Sequence, residues 1–529
     1  MSTPVGCGYP NLAVKFLGHR VNFANRRMTK LFDRHFDLLV IGGGITGCGV
    51  ARDAAMRGLS VALVERDDFA SGTSGRSSRL VHGGIRYLEQ GRLHLVYESI
   101  RERQILLRIA PHLVKPLAFT WPVYRGARLG RLKLGAGLLL YQIMALGRSH
   151  RPSFLSAKKT LEREPSLRST NLKGGAVYYD ASTDDSRLTV LTAVAAKNAG
   201  AFVANHARVT SIIRDAGRVV GAGVKSTLDG ETGQVSAQVI VNATGVWQNA
   251  ADAVDGHGAG EHGPPPRGSK GVHIAVPRER VGNRDAITMI SSVDGRVMFC
   301  LPAGTHTVIG TTDTWTEESP EDVHASAADV DYLLRSANSY FPAAGLTPDD
   351  VVSAWAGIRP LVATRSNNPT AASREHSIVV DQSGVISVTG GKLTTYRSMA
   401  AEVVDLVQNF LYRRVTAAPT DTATLPGTSR EKDLARMAEE NASLAQPLVG
   451  GLPYTGAHLV YGVKYELAKT LSDLLIRRTH LAFETRDHGK SVAQRAADIV
   501  APPLGWDETT KRSRISDYNA DVDRIFAID

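Results

Sequence analysis

Lys392 stands in the stretch "SVTGGKLTTYR", directly after Gly390 and Gly391. Two glycines let a backbone come very close to a neighbour. A lysine beside them suits a neighbour that carries negative charge or develops it during a reaction. Arg86 and Tyr87 have the same setting in "HGGIRYL", after Gly83 and Gly84, and offer a guanidinium and a hydroxyl donor. Arg359, in "GIRPL", precedes Pro360 and is biased towards extended backbone. Arginine presents bidentate donors to an anion. His273, in "GVHIAVP", lies on an apolar strand whose Val272 and Ile274 would face the other way. Histidine titrates near working pH and can serve as a base. The bland alternatives are a solvated charge or structural ion pair for either arginine, and a satisfied core histidine.

These residues need elements to position them. "FDLLVIGGGITGCGVARDAAMRGLSVALVERDDF" begins at Phe36. Leu38–Ile41 reads as a short apolar strand, and Gly42, Gly44 and Gly47 give GxGxxG. A helix with Val50, Ala54 and Ala55 on its packing face follows and ends at Gly58. Val61–Val64 is a second strand, closed by Glu65. In this order the first glycine makes a tight turn, the second admits pyrophosphate and the third lets helix and strand pack. The helix N-terminus faces the phosphates and the acid accepts from ribose hydroxyls. The motif alone does not separate NAD from FAD. The polar, glycine-rich "SGTSGRSSRLVHGGIRYLEQG" follows the second strand, and "AQVIVNATGVW" carries a buried strand, Val239–Val241, back towards the same sheet. A cofactor touched near positions 42, 75, 243 and 391 is long, which favours FAD. The candidate cofactor contacts are Gly42, Gly44, Ile45, Thr46, Gly47, Glu65, Thr73, Ser74, Ser78, His82, Gly83, Gly84, Val209, Ala243, Gly245, Gly391, Leu393 and Thr394.

The chain has 529 residues, enough for two or three domains, and reads as soluble and globular with 43% hydrophobic and 22% charged residues. Its net charge of +10 suits an anionic substrate or membrane surface. Nucleic acid is disfavoured, because no basic helix interleaved with aromatics and no zinc-finger or RNA-binding signature occurs. Cys7, Cys48 and Cys300 are too scattered for a disulfide framework or a metal site, so no metal is expected and a reducing compartment fits. No apolar run is long enough to span a bilayer. Leu132–Gly147, which contains Lys133, is the nearest, and basic residues flank it: Arg125, Arg128 and Arg131 before, Arg148 and Arg151 after. It reads as an interfacial helix or as an amphipathic domain helix with a solvated rim. Residues 1–34 read as a basic extension, a disordered tail in preference to a membrane-lying helix.

In order along the chain, "GGGITGCGVARDAAMRGLSVALVE", "SSRLVHGGIRYLE", "SKGVHIAVP", "VIGTTDT", "GIRPL" and "GGKLTTYR" resemble the FAD-dependent glycerol-3-phosphate dehydrogenases, members of the D-amino-acid-oxidase-like flavoprotein superfamily. "YELAKTLSDLLIRRTHLAFE" resembles that family's helical cap. The resemblance implies an α/β fold: a Rossmann-type FAD-binding domain, an antiparallel-sheet substrate domain and a helical C-terminal cap. The expected boundaries are 1–34 for the extension, 35–425 for the oxidoreductase region, with its substrate domain at about 100–180 and 260–350, and 426–529 for the cap. It implies oxidation of sn-glycerol 3-phosphate to dihydroxyacetone phosphate, electrons passing from FAD to a membrane quinone. It also implies a homodimer held peripherally at the inner, cytoplasmic face of the cell membrane. The implied substrate residues are Arg86, Tyr87, His273, Arg359 and Lys392. Within that set His273 is the base for the C2 hydroxyl, with His82 the alternative, and Lys392 is the electrostatic stabiliser; Arg359 completes the catalytic set. Gly75 and Arg76 depart from the family pattern. The competing readings are an oxidase that uses oxygen, and another amine or hydroxy-acid oxidoreductase of the superfamily.

Overall fold

The computed structural model describes residues 25–145, 151–248, 267–361 and 375–529. Two sheets organise the chain. The first runs in the order His376–Val380, Ile386–Gly390, Thr232–Asn242, His35–Ile41, Val61–Val64, Phe202–Ala204. Its central pairings are parallel, and His35–Ile41 lies between Val61–Val64 and Thr232–Asn242. Leu38, Leu39 and Val40 are fully buried because both faces of a parallel sheet are covered. Helices Ile45–Met56, Asp185–Asn198 and Tyr396–Phe410 cover one face with Val50, Ala54, Val190, Val403 and Val404. An antiparallel meander, Ala207–Asp215 and Arg218–Ser226 leading into Thr232–Asn242, covers the other.

Residues 1–24 of the basic extension lie outside the described residues. Asn25–Phe32 is a helix, not a disordered tail: Leu31 is fully buried and the Phe32 ring occupies the space beside Gly233, where a side chain would stand 2.4 Å from it. An apolar pair at the helix end anchors this segment, which its basic composition obscured.

The second sheet has ten strands among the described residues. It runs Thr314–Thr316, Arg267–Pro277, His306–Gly310, Val297–Ala303, Ala286–Ile290, Lys115–Tyr124, Leu172–Ser182, Leu80–Val81, and Ser353–Leu361 also pairs with Arg267–Pro277. All its pairings are antiparallel except that of Ala286–Ile290 with Lys115–Tyr124. The sheet thus draws on Leu80–Val81 and Ser353–Leu361, beyond the ranges expected for the substrate domain. Strand alternation decides which side chains reach the site. Val272, Ile274 and Val276 pack against helix Ala327–Tyr340, while His273 points to the opposite face.

From Arg430 onwards the described chain is helical and packs on that face, with the Phe483 ring edge-on to Trp355 at 5.1 Å. A buried ionic cluster joins this C-terminal part to the first sheet. Asp68 accepts from Arg477 Nε (2.7 Å), from Arg478 Nη1 (2.6 Å) and Nη2 (2.9 Å), and from Asn205 (2.9 Å). Asp473 pairs with His206 (3.0 Å) and Arg477 (3.0 Å). Burial alone would raise both carboxyl pKa values; Arg478 and Arg477 reverse this for Asp68, and His206 with the same arginines for Asp473, so both are held below the usual range.

Candidate active site

A cleft opens between the carboxyl ends of the first sheet and the face of the second. At the end of His35–Ile41, Gly42 adopts φ +110° and donates its N–H to Val64 O (2.9 Å). A side chain on Gly47 would stand 2.0 Å from the Gly42 carbonyl, so helix and turn touch only because both are glycine. Gly44 then caps helix Ile45–Met56 without a side-chain bond. Glu65, at the end of Val61–Val64, accepts from Gly43 N–H (2.6 Å) and Asp67 N–H (2.8 Å). Burial pushes its carboxyl up to about 7, against the pull of those two donors.

The segment after Glu65 crosses the cleft. Ser74 Oγ accepts from Ile45 N–H (3.0 Å), Thr73 donates to Ile358 O (2.6 Å), and Ser78 Oγ meets His273 Nε2 at 2.8 Å. Thr394 Oγ1 accepts from His82 N–H (3.2 Å). The cleft wall is completed by Ala243 and Gly245 on one side and Gly390–Thr394 on the other. Gly390 and Gly391 both have positive φ, +82° and +78°, after which Leu393–Thr395 forms one tight turn leading into helix Tyr396–Phe410. The four distant segments expected to share one long ligand all line this cleft. Gly47, Gly83 and Val209 do not line the cleft: Gly47 acts through packing, Gly83 is backed by Tyr141, and Val209 sits on the meander strand Ala207–Asp215.

His273, Tyr87, Arg359 and Lys392 all line the cleft. Arg359 lies opposite Ser269 on the paired strand, and its guanidinium fills the space beside Gly271, where a Cβ would come within 2.2 Å of it. Its Nη2 donates to Thr311 Oγ1 (2.9 Å) and its Nη1 pairs with Asp313 (3.2 Å). Lys392 Nζ donates to Ser99 Oγ (3.0 Å) and stands 4.1 Å from the centre of the Tyr87 ring. His273 is buried and stacks on Trp355 at 5.6 Å. Its Nδ1 has no partner among the described residues. Burial, with the charges of Arg359 and Arg79, lowers its pKa to about 3. The backbone of Arg86 belongs to the turn Ile85–Leu88, and its side chain lies outside what is described.

Sequence reasoning missed the aromatic wall: Phe119, Trp121, Tyr178 and Phe299, with Phe119 stacked on Tyr178 at 5.1 Å. It also missed Asp180 and Asp313, which line the same cleft. Strand alternation in "AFTWPVY" and "AVYYDAS" could have suggested Phe119, Trp121, Tyr178 and Asp180, and Asp313 lies in the quoted "VIGTTDT". Arg76 also lines the cleft, and burial together with Arg524 and Arg477 lowers its pKa to about 10.

The residues fit a flavin dinucleotide. A glycine turn lies at a helix N-terminus, a carboxylate ends the second strand, and a Cβ on Gly245, which lines the same cleft as Lys392, would meet open space. A family model described as FAD dependent oxidoreductase matches residues 37–397, and another, the C-terminal domain of alpha-glycerophosphate oxidase, matches residues 427–511. The chain is 36% identical to Glycerol-3-phosphate dehydrogenase 2 of Mycobacterium bovis, over 93% of this chain and 89% of that protein. It is 33% identical to Aerobic glycerol-3-phosphate dehydrogenase of Bacillus subtilis, over 94% of this chain and 96% of that protein. The X-ray structure of the glycerol-3-phosphate dehydrogenase from Bacillus halodurans complexed with FAD superposes with a TM-score of 0.76 at 32% identity, covering 94% of this chain and 96% of that one. FAD is the protein's cofactor, and the chain belongs to the family of FAD-dependent oxidoreductases, carrying in addition the C-terminal domain of the alpha-glycerophosphate oxidases.

Proposed function

We propose that this protein oxidises sn-glycerol 3-phosphate to dihydroxyacetone phosphate and passes the electrons to a membrane quinone. The observation that carries the reading is that Arg359, Lys392 and a neutral, buried His273 line the cleft of a chain whose relatives are named glycerol-3-phosphate dehydrogenases. When bound, FAD supplies the two-electron acceptor for the C2–H bond. Arg359, braced by Thr311 and Asp313, offers a fixed guanidinium to the phosphate dianion. Its bracing limits the rotamer freedom lost on binding. His273 is the base for the C2 hydroxyl proton; its Nε2 meets Ser78 Oγ at 2.8 Å, and its Nδ1 is buried without a described partner. Alone, the imidazole is weakly basic, first because it is buried and then because of the charges of Arg359 and Arg79. A bound dianion offsets the Arg359 part of that effect and raises the basicity of the ring. Lys392 offers positive charge to the negative charge that develops on the cofactor.

The test is turnover by the purified yellow protein. Glycerol 3-phosphate is expected to bleach the visible absorption, and a soluble quinone to restore it faster than oxygen does. No bleaching overturns the substrate; faster recovery with oxygen overturns the acceptor.

The same proposal includes an anionic membrane surface. Helix Arg131–Met144 buries Leu134, Leu138 and Tyr141 and exposes Leu132 (92%), Leu139 (59%) and Ile143 (61%). Arg125, Arg128, Arg131 and Lys133 lie at its start, and no described helix is long and apolar enough to cross a membrane. An exposed apolar face with a basic rim supports an interfacial helix, each basic residue adding about 1 kcal/mol near anionic lipid. Reversing the charge of Arg125, Arg128 and Arg131 is expected to move the protein to the supernatant when sedimented with anionic vesicles, with FAD and soluble-acceptor turnover retained. Continued pelleting would place the anchor elsewhere.

A further inference from the structure

Helix Leu93–Ile109 runs beside the cleft, and three of its polar residues, Ser99, Glu102 and Arg103, are almost wholly buried. Each holds a different part of the active-site wall. Arg103 pairs with the Asp180 carboxylate, which also accepts from the Gly83 N–H (3.1 Å) and the Tyr141 hydroxyl (2.6 Å). The turn that carries Gly84 and Tyr87 is therefore fixed from this helix. Glu102 takes Arg397 on both carboxylate oxygens (2.7 and 2.5 Å), which fixes the helix that follows Lys392. Ser99 lies one turn before Arg103. Its Oγ donates to Leu95 O (2.7 Å), which commits its only proton, and its lone pairs accept from Lys392 Nζ (3.0 Å).

A buried hydroxyl inside a helix is a poor choice for stability alone. Alanine is the better helix former, and serine competes for the helix's own carbonyls. The hydroxyl does have a use beside Lys392. A lysine stem is flexible, and charge stabilises a reaction best when it is held in place beforehand. With its proton on Leu95, Ser99 presents only an acceptor, so it fixes the ammonium without competing with it as a donor.

We propose that Ser99 is a positioning residue: it holds the Lys392 ammonium over the Tyr87 ring, and so sets where positive charge faces the bound cofactor. This rests on the reading that Lys392 stabilises charge developing on FAD. The experiment compares the holoenzymes of Ser99→Ala and Lys392→Met by flavin midpoint potential without substrate, by the rate of flavin reduction, and by KM. Lys392→Met is expected to lower the potential and to slow reduction more than it raises KM. Ser99→Ala is expected to lower the potential by a smaller step and to slow reduction about tenfold, the worth of one hydrogen bond to a charged group, with FAD content and melting temperature unchanged. If Lys392→Met leaves the potential at the wild-type value, the reading of Lys392 fails and Ser99 falls with it. If Lys392→Met lowers it while Ser99→Ala matches wild type, Ser99 alone is overturned. Should Ser99→Ala lose FAD, Ser99→Cys decides, since it is close in volume and its sulfur accepts weakly. A wild-type potential in that variant overturns the proposal, and an intermediate one supports it.

Discussion

Arg359→Ala is expected to raise the KM for glycerol 3-phosphate by about one to two powers of ten while the protein stays yellow. A charge-assisted hydrogen bond is worth about 1.5–3 kcal/mol. The contacts of Arg359 show why the loss should fall on substrate and spare the cofactor. Thr311, Thr312 and Asp313, among its partners, lie in the segment after strand His306–Gly310 and not in the glycine turn. Arg359→Lys is expected to recover little, because an ammonium cannot brace on Thr311 and Asp313 and still present a planar fork. Steady-state kinetics with a soluble acceptor, together with the visible spectrum, decide the matter. A colourless variant, or unchanged kinetics, would remove Arg359 from the substrate site.

The second large effect concerns the joint between the nucleotide sheet and the helical C-terminal part. Asp68→Ala leaves the buried guanidinium groups of Arg477 and Arg478 without their shared carboxylate. Breaking such a pair from one side costs about 3–5 kcal/mol, because an uncompensated charge stays buried. The melting temperature should fall by several degrees or more, with loosening of the C-terminal helices first, detectable as faster proteolysis after Arg430. The same cluster predicts acid lability. Asp68 and Asp473 have folded pKa values depressed below their unfolded ones. Their stabilisation is therefore complete above about pH 4, the unfolded carboxylate value, and is lost as pH falls towards the folded values. Wild-type stability should decline with acid below that point, and Asp68→Ala should show a shallower decline. A variant that melts like wild type would mean that Asn205 and solvent satisfy the arginines.

The nucleotide turn was legible because its requirements are local. Gly42, Gly44, Gly47 and Glu65 lie within one strand–helix–strand unit, and the Gly47–Gly42 and Glu65–Gly43 contacts are made inside it. Lys392 and Arg359 were legible because glycine and proline mark unusual backbone beside a cation. His273 could be placed on the correct face because strand alternation assigns Val272 and Ile274 to the other. Asp180, Tyr178 and Ser99 were not legible. Their roles depend on the register between Lys115–Tyr124 and Leu172–Ser182 and on where helix Leu93–Ile109 settles, both of which are fixed by packing between segments far apart in sequence. Ser353–Leu361 escaped its sheet for the same reason: its nine-residue pairing with Arg267–Pro277 spans a whole domain's length of chain. Helix Asn25–Phe32 was obscured by charge, since its anchoring depends on one or two apolar side chains among basic ones.

Strand His35–Ile41 pairs early with Val61–Val64, but its other neighbour is Thr232–Asn242, and that strand in turn waits for Ile386–Gly390. A ribosome adding about 5–20 residues per second needs on the order of tens of seconds to supply these later strands. Throughout that interval the nascent chain displays an apolar, unpaired strand edge of the kind that recruits other chains. The turn carrying Lys392 emerges later still, so the dinucleotide can be enclosed only after most of the polypeptide has left the exit tunnel. Yield during overexpression should therefore depend on chaperone capacity and on the codon usage that sets how long this edge stays open.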